Sequence, residues 1–303
     1  MTRAMNRNVT LYIEKIAKLT CLIPRRIAML ILEKLEIVQR PVKSNSTLGW
    51  SSYDANIAGG TLVGIGMALS GACPGTVLVQ LAQGIPSANA TALGALLGAG
   101  IYVQTQHRLK NISQRQNAAE PSTRKLTISE AMRIPEVMLY PLFGLAIMAV
   151  LRFTGAKFGN SLVSPIVGGL LIGSAQAISL LLTSGPLGVS SAYEHLSRHI
   201  LEALSGKLGK PSLPSKPIIF SLGVIAGSFA LLQQKPGASF AVADAVIPAW
   251  QAFVGGTVLA FGARLGGGCT SGHGLSGLSA MSFSSLITVA CMFGAGILTR
   301  TLM

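Results

Sequence analysis

The chain reads GGTVLAFGARLGGGCTSGHG at residues 255–274 and GGTLVGIGMALSGACPG at residues 59–75. When the two stretches are aligned with an offset of 196 residues, several glycines coincide and Cys73 falls on Cys269. The same alignment, continued without a gap, places residues 98–101 on residues 294–297, and eleven of the 43 positions from residue 59 to residue 101 are identical. We interpret these matches as an internal repeat in which each copy carries one cysteine in a glycine-rich loop.

The composition of the whole chain indicates the solvent in which this repeat folds. Half of the 303 residues are apolar, the mean hydropathy is +0.56 and only 11% of the residues are charged, whereas a soluble domain carries about 25% charged residues. Apolar stretches approach the length that crosses a bilayer core of about 30 Å. They lie near residues 55–72, 89–104, 135–152, 162–184, 217–233, 251–267 and 283–302. The sequence therefore predicts an all-α polytopic membrane protein, in which the short, glycine-rich first and sixth stretches are broken or re-entrant helices.

The basic charge supports this topology. The net charge is +14, and if the seven stretches alternate across a membrane, segments 1–47, 105–134 and 194–216 share one side and hold 19 of the 24 Lys and Arg residues. This asymmetry is the positive-inside pattern. A nucleic-acid-binding surface would need aromatic side chains for base stacking, and only 6% of the residues are aromatic. We expect a lipid bilayer as partner and no nucleic acid, with the plasma membrane as the host and an organelle membrane as the alternative.

Charge and repeat together divide the chain into three parts. Residues 1–47 are expected to form a basic amphipathic N-terminal arm that lies on a lipid surface. Residues 48–134 hold the first repeat, which is shortened, and a basic loop. Residues 135–303 hold the central spans and the second repeat. Because the second copy begins five spans after the first, which is an odd number, the two pseudo-repeats are expected to be inverted in the membrane, as in many transporters.

The two cysteine loops carry the candidate chemistry. Each follows an apolar stretch that is too short to cross a membrane alone, and non-helical backbone at membrane depth is tolerated only where it is buried in protein or lines a cavity. Glycines leave backbone N–H groups uncovered, and such groups can bind an anion. Thiols are soft and suit contact with a sulfur atom. The candidate substrate-binding residues of the loops are Gly71, Cys73, Gly75, Gly267, Gly268, Cys269, Thr270, Ser271 and His273, and a third Gly/Ser turn adds Gly188 and Ser190.

The sequence offers few further candidates for a functional role. The spacing of cysteine and histidine is a poor match to a zinc site, so no metal and no cofactor is expected, although Cu(I) remains an alternative. Arg264 lies inside a predicted span, where a charge is functional by default, and it could neutralise an anion or cap the loop carbonyls. His273 could equally be a proton relay, a substrate contact or a structural residue. Cys21 and Cys291 are expected to be passive.

The loop sequences resemble those of the YeeE/YedE sulfur-transport family, whose characterised members take up thiosulfate. The resemblance lies in residues 71–75, 262–274 and the PLGVS element at 186–190. It implies a two-half membrane fold with short helices that dip inward from both faces, and it implies that Cys73 and Cys269 contact thiosulfate. Family members carry a third pathway cysteine and a further element early in the first half. Here the PLGVS-like element occurs only before the second loop, so we expect an N-terminal truncation or a shortened first half.

Three functions are compatible with these residues. The leading one is a multi-pass transporter, not an enzyme, that passes thiosulfate or a related small sulfur-containing anion between the two loops. The second is a membrane-bound sulfurtransferase that forms a cysteine persulfide, which would need a thiol of lowered pKa beside positive groups. The third is a non-transporting membrane subunit of a sulfur-handling complex. A sulfur-carrier protein is a candidate partner.

Overall fold

A computed structural model describes the following residues: 43, 46–48, 50–117, 127–133, 138–139, 141–142, 145, 149, 165–183, 188–206, 215–234 and 247–303. Residues 1–42, most of the stretch expected to span at 135–152, and Pro186 and Leu187 lie outside this part of the chain. The structure divides into two compact units. The larger unit contains the described residues within 44–124, 188–273 and 284–303, and the smaller contains the described residues at 43, within 127–183 and within 274–283.

The described elements are helices, and the part of the chain that the structure covers contains no β-strand. They are α1 (Asp54–Ser70), α2 (Pro74–Ala82), α3 (Pro86–Asn117), α4 (Ile128–Met132), α5 (Pro165–Thr183), α6 (Val189–Leu204), α7 (Lys216–Gln234), α8 (Ala249–Leu265), a π-helix (Thr270–Gly277) and α9 (Phe283–Leu302). Within the described residues, three helical stretches, Asp54–Ala82, Lys216–Gln233 and Phe283–Leu302, are long and apolar enough to cross a membrane. A fourth span is possible if α8 and the π-helix, which are bent by 45°, are taken together. The all-α prediction is confirmed for these residues.

Two predicted boundaries were wrong. α3 runs on to Asn117 through residues that we expected to form a loop from 105, because this polar stretch contains no Gly or Pro to end the helix. α6 occupies part of the second expected loop, 194–216. Its charged residues concealed an amphipathic pattern, in which Tyr193 and Ser197 are buried on one face four residues apart.

Close glycine contacts hold the larger unit together. α8 packs against α1, α3 and α6. A Cβ at Gly98 of α3 would lie 2.1 Å from the carbonyl O of Thr257 on α8, and a Cβ at Gly94 would overlap the carbonyl of Phe253 in the same way. Helices in lipid gain little from the hydrophobic effect when they associate, so contacts between small residues that bring backbones together take its place.

The packing of α1 against α8 is reciprocal from end to end. A Cβ at Gly59, near the start of α1, would lie 2.7 Å from the carbonyl O of Gly262, near the end of α8. A Cβ at Gly255, near the start of α8, would lie 2.7 Å from the backbone N of Ser70, at the end of α1. The two helices therefore run antiparallel, and each begins where the other ends.

Side-chain amides repeat this reciprocity. Asn56, in the first turn of α1, donates from Nδ2 to the carbonyl O of Gly266 after α8, at 3.4 Å. Gln251, in the first turn of α8, donates from Nε2 to the carbonyl O of Leu69 at the end of α1, at 3.1 Å. The last carbonyls of a helix accept no hydrogen bond from within that helix. Here a side-chain amide in the first turn of each helix donates to a carbonyl at the end of the other helix.

The neighbouring helices follow the same scheme. Gly60 and Gly256 occupy equivalent positions in the repeat. A Cβ at Gly60 would lie 2.6 Å from the carbonyl O of Thr288 on α9, and a Cβ at Gly256 would overlap the carbonyl of Thr91 on α3. Thr91 is one residue from the position equivalent to Thr288. α9 thus packs on α1 much as α3 packs on α8.

The smaller unit contains α4 and α5. Thr127 and Glu130 form a capping box at the start of α4, and the backbone N of Ile128 donates to the carbonyl O of Met281 at 2.8 Å. Ile128, Leu139 and Met281 form its buried apolar cluster. α5 exposes the large apolar side chains Val167, Leu170, Leu171 and Ile172, which suits contact with lipid.

Candidate functional site

The first cysteine loop breaks the chain between α1 and α2. α1 ends at Gly71, which has a φ of +66° and adopts the left-handed conformation typical of helix ends. Cys73 is the N-cap of α2, with Pro74 in the first turn. Its Sγ accepts a hydrogen bond from the backbone N of Thr76 at 3.4 Å, and its own backbone N donates to Thr76 Oγ1 at 2.6 Å. The Cys73 thiol is therefore buried at a helix N-terminus, where the partial charge is positive.

The second cysteine loop breaks the chain between α8 and the π-helix. Gly267 takes a φ of +78° after the end of α8, and Cys269, which is fully buried, immediately precedes the π-helix. Its Sγ lies 3.1 Å from the hydroxyl of Ser271. π-Helices are rare and are often found at functional sites. Nothing in the sequence predicted this one.

The first turn of α6 contacts both loops. Gly188 is the N-cap of this helix. The hydroxyl and backbone N–H of Ser190 lie beside the Cys269 sulfur, as does a backbone N–H in its own loop. Three residues further on, the Tyr193 hydroxyl donates to the carbonyl O of Pro74 at 2.9 Å. The thiols of Cys73 and Cys269 both lie near this hydroxyl, so α6 brings the two cysteine loops into one cluster.

A buried polar network fixes the second loop. His273 Nε2 lies 2.9 Å from the carbonyl O of Gly266 and Nδ1 lies 2.9 Å from the Ser285 hydroxyl. A carbonyl only accepts, so Nε2 carries the proton and donates. Asn56 donates to the same Gly266 carbonyl and, at 2.9 Å, to Thr288 Oγ1. Since both ring nitrogens have protein partners, His273 anchors the loop, and its contact with a substrate stays a prediction.

The first loop has no counterpart of this network at the matching positions. The offset of 196 residues places His273 on Val77, which is fully buried, and Thr288 on Ala92. The two loops are thus equivalent in position but are fixed differently, one by a polar network and the other by the capping box of Cys73 and the hydroxyl of Tyr193.

Arg264 has a carboxylate partner that the sequence analysis missed. Its guanidinium forms an ion pair with Glu194 on α6 and lies over the ring of Tyr102, 5.8 Å from the centroid. Glu194 also pairs with Arg198 at 3.0 Å. We did not predict the partner because residue 194 was assigned to a loop. The helical spacing of Tyr193 and Ser197 was the signal that could have revealed it.

The remaining candidate residues surround this cluster. Gly75 lies in the first turn of α2, where an added Cβ would lie 3.9 Å from both Cys73 Sγ and Val189 Cγ2. Gly268 and Thr270 are buried, whereas Gly71 and Gly267 are exposed. Cys291, which was expected to be passive, packs against Gly60 on α1. Cys21 lies outside the described residues.

Comparison with known proteins supplies the biological context. A family profile described as sulphur transport matches residues 16–298. Two curated proteins of Xylella fastidiosa, from strains Temecula1 and 9a5c, are each named a probable transporter. They are 29% and 28% identical to this chain over 142 residues, which is 46% of this chain and 93% of either relative. Each relative is therefore about half as long as this chain.

Proposed function

The chain belongs to the sulphur transport family, the YeeE/YedE family, and from this premise we propose that it carries thiosulfate or a closely related sulfur-containing anion across a membrane. It is an integral membrane protein, and in this proposal it transports its substrate without transforming it. The path runs between the two cysteine loops at the N-terminus of α6. One observation carries the proposal: a single helix end, residues 188–193, contacts both loops.

The chemistry of the cluster suits an anion with an oxygen end and a sulfur end. Backbone N–H groups at the N-termini of α2 and α6 and the hydroxyls of Ser190 and Ser271 can donate to oxygen atoms. The thiols of Cys73 and Cys269 offer soft contacts to sulfur. Because a transported ion must also leave, these contacts should be several and individually weak. The proposed contacts are Gly71, Cys73, Gly75, Gly188, Ser190, Gly267, Gly268, Cys269, Thr270, Ser271 and His273.

The two repeats are, in this proposal, inverted copies. The antiparallel, end-for-end packing of α1 on α8 supports it, since a two-fold axis between the helices would exchange Gly59 with Gly255. The half-length relatives also fit a protein built from two halves. Equivalent loops would then approach from opposite faces, with the sulfurs of Cys73 and Cys269 on the order of 10 Å apart so that one small anion fits between them.

A sulfurtransferase remains a second candidate because Cys73 is the N-cap of α2, a position that favours a thiolate. A thiolate that attacked the terminal sulfur of thiosulfate would form a persulfide and release sulfite. Incubation of the purified protein with thiosulfate, followed by assay of sulfite and intact mass, separates the two. Transport predicts neither sulfite nor a mass increase of one sulfur atom. Delivery to a sulfur-carrier protein, and a role as a non-transporting subunit, stay predictions.

Growth on thiosulfate tests the proposal. The chain is expressed in a bacterial strain that lacks its own thiosulfate import, with thiosulfate as the sole sulfur source. We expect growth with the wild-type chain and none with Cys269→Ala at equal membrane expression. Cysteine as sulfur source is the control for general fitness. Absence of growth with a well-expressed wild-type chain would contradict transport by this chain alone.

A further inference from the structure

The ion pair between Glu194 and Arg264 links the two segments that meet at Cys269. We infer that Glu194 and Arg264 are positioning residues that hold the first turn of α6 against Cys269, and that the Arg264 charge does not bind the transported anion. The inference rests on the proposed function, since it concerns how that site is assembled.

The geometry places both contacts on the same pair of segments. Glu194 follows Ser190 by four residues, so the two side chains share one face of α6 and are separated by about 6 Å along the helix. Ser190 lies beside the Cys269 sulfur, and Glu194 forms an ion pair with Arg264, five residues before Cys269. One face of α6 therefore contacts residues 264–269 at two points, the Arg264 guanidinium and the Cys269 sulfur.

The Arg264 guanidinium already has partners within the protein. Glu194 is the carboxylate partner of both Arg264 and Arg198. The Glu194 side chain is 13% exposed and that of Arg264 is 21% exposed, and the guanidinium lies over the Tyr102 ring. If the carboxylate is removed, the Arg264 charge remains half-buried without its partner, which is costly. If the Arg264 charge is removed, Glu194 keeps Arg198.

Other contacts keep α6 in place when the pair is broken. Ser197 donates to the carbonyl O of Leu96 on α3 at 2.8 Å, and the Tyr193 hydroxyl binds Pro74. α6 also packs on α7 and α8. The loss of the ion pair should consequently shift the first turn and the Ser190–Cys269 contact without unfolding the protein.

A positioning role for the ion pair and an anion-binding role for Arg264 predict opposite rank orders of uptake among neutral variants. Positioning predicts that Glu194→Gln lowers uptake at least about tenfold, that Arg264→Gln lowers it less, and that the double variant recovers to the level of Arg264→Gln. Anion binding by Arg264 predicts the reverse: Arg264→Gln is the worst variant, Glu194→Gln is close to the wild type, and the double variant does not recover. Arg198→Gln, on the exposed side of the same carboxylate, is the matched control and should remain close to the wild type.

The rate of Cys269 alkylation provides a second readout that needs no transport. It is measured in membranes with N-ethylmaleimide, in a background carrying Cys21→Ala, Cys73→Ala and Cys291→Ala. We expect faster alkylation with Glu194→Gln and a return towards the parent rate when Arg264→Gln is added. That pattern, combined with no uptake by the wild-type chain, would support the positioning role and contradict the transport proposal. Equal alkylation rates in all variants, or uptake in the anion-binding order, would overturn the inference.

Discussion

Replacement of Gly98 by alanine tests one of the closest helix contacts in the larger unit. The added Cβ would lie 2.1 Å from the carbonyl O and 2.9 Å from the carbonyl C of Thr257. Real Cβ atoms essentially never approach closer than 3.0 Å, so α3 and α8 must separate by about 1 Å, in the range where overpacking costs about 1–3 kcal/mol. The obstacle is backbone, which cannot rotate away as a side chain can.

An equivalent position in the second repeat provides the control. Gly294 falls on Gly98 in the alignment, but a Cβ there would meet nothing within 4 Å. Alanine also favours a helix over glycine by roughly 0.5–1 kcal/mol. We therefore expect Gly98→Ala to destabilise by about 1–2 kcal/mol net, and Gly294→Ala to be neutral or slightly stabilising.

The assay is the thermal midpoint of the purified protein in detergent, measured for both variants beside the wild type. A loss of about 1 kcal/mol lowers the midpoint of a chain of this size by a degree or a few, which is measurable. Gly98→Ala should melt below the wild type and Gly294→Ala should not. A Gly98→Ala variant as stable as the wild type, or an equal loss in both variants, would refute the packing of α3 on α8 described above.

Two further predictions concern the site and the topology. Tyr193→Phe removes the side-chain hydrogen bond to the carbonyl O of Pro74, which contributes about 0.5–1.5 kcal/mol; we expect a lower thermal midpoint and reduced uptake, and a variant equal to the wild type in both would show that the hydrogen bond is dispensable. The bias of basic residues predicts that cysteines introduced at Ser113 and Ser122 are labelled from one side of the membrane and a cysteine at Lys235 from the other. Labelling of all three from the same side would contradict that topology.

The sequence predicted the features that depend on local chemistry. Glycines, together with Pro74, marked the breaks near Cys73 and Cys269, and both breaks are present. The repeat also anticipated the equivalent roles of Gly60 and Gly256, because contact between backbones leaves no room for a side chain.

The features that it missed depend on partners distant in the chain. Glu194 and Arg264 are seventy residues apart, and no local pattern pairs them. Asn56 and His273 fix the second loop by donating to the same acceptor, the carbonyl O of Gly266. The helical path of α6 was hidden because charged residues and histidines interrupt its apolar ones, although burial of one face is enough to hold it in the protein.

Uptake of radiolabelled thiosulfate by proteoliposomes that contain only this purified chain tests the central claim most directly. Cys291→Ala is the matched control, since it removes a thiol outside the two cysteine loops and keeps the Cβ that packs on Gly60. We predict uptake above empty liposomes for the wild type and Cys291→Ala, and a loss of at least about tenfold for Cys73→Ala and for Cys269→Ala. Uptake that survives both loop substitutions, or that is absent from the well-folded wild type, would contradict passage between the two cysteine loops.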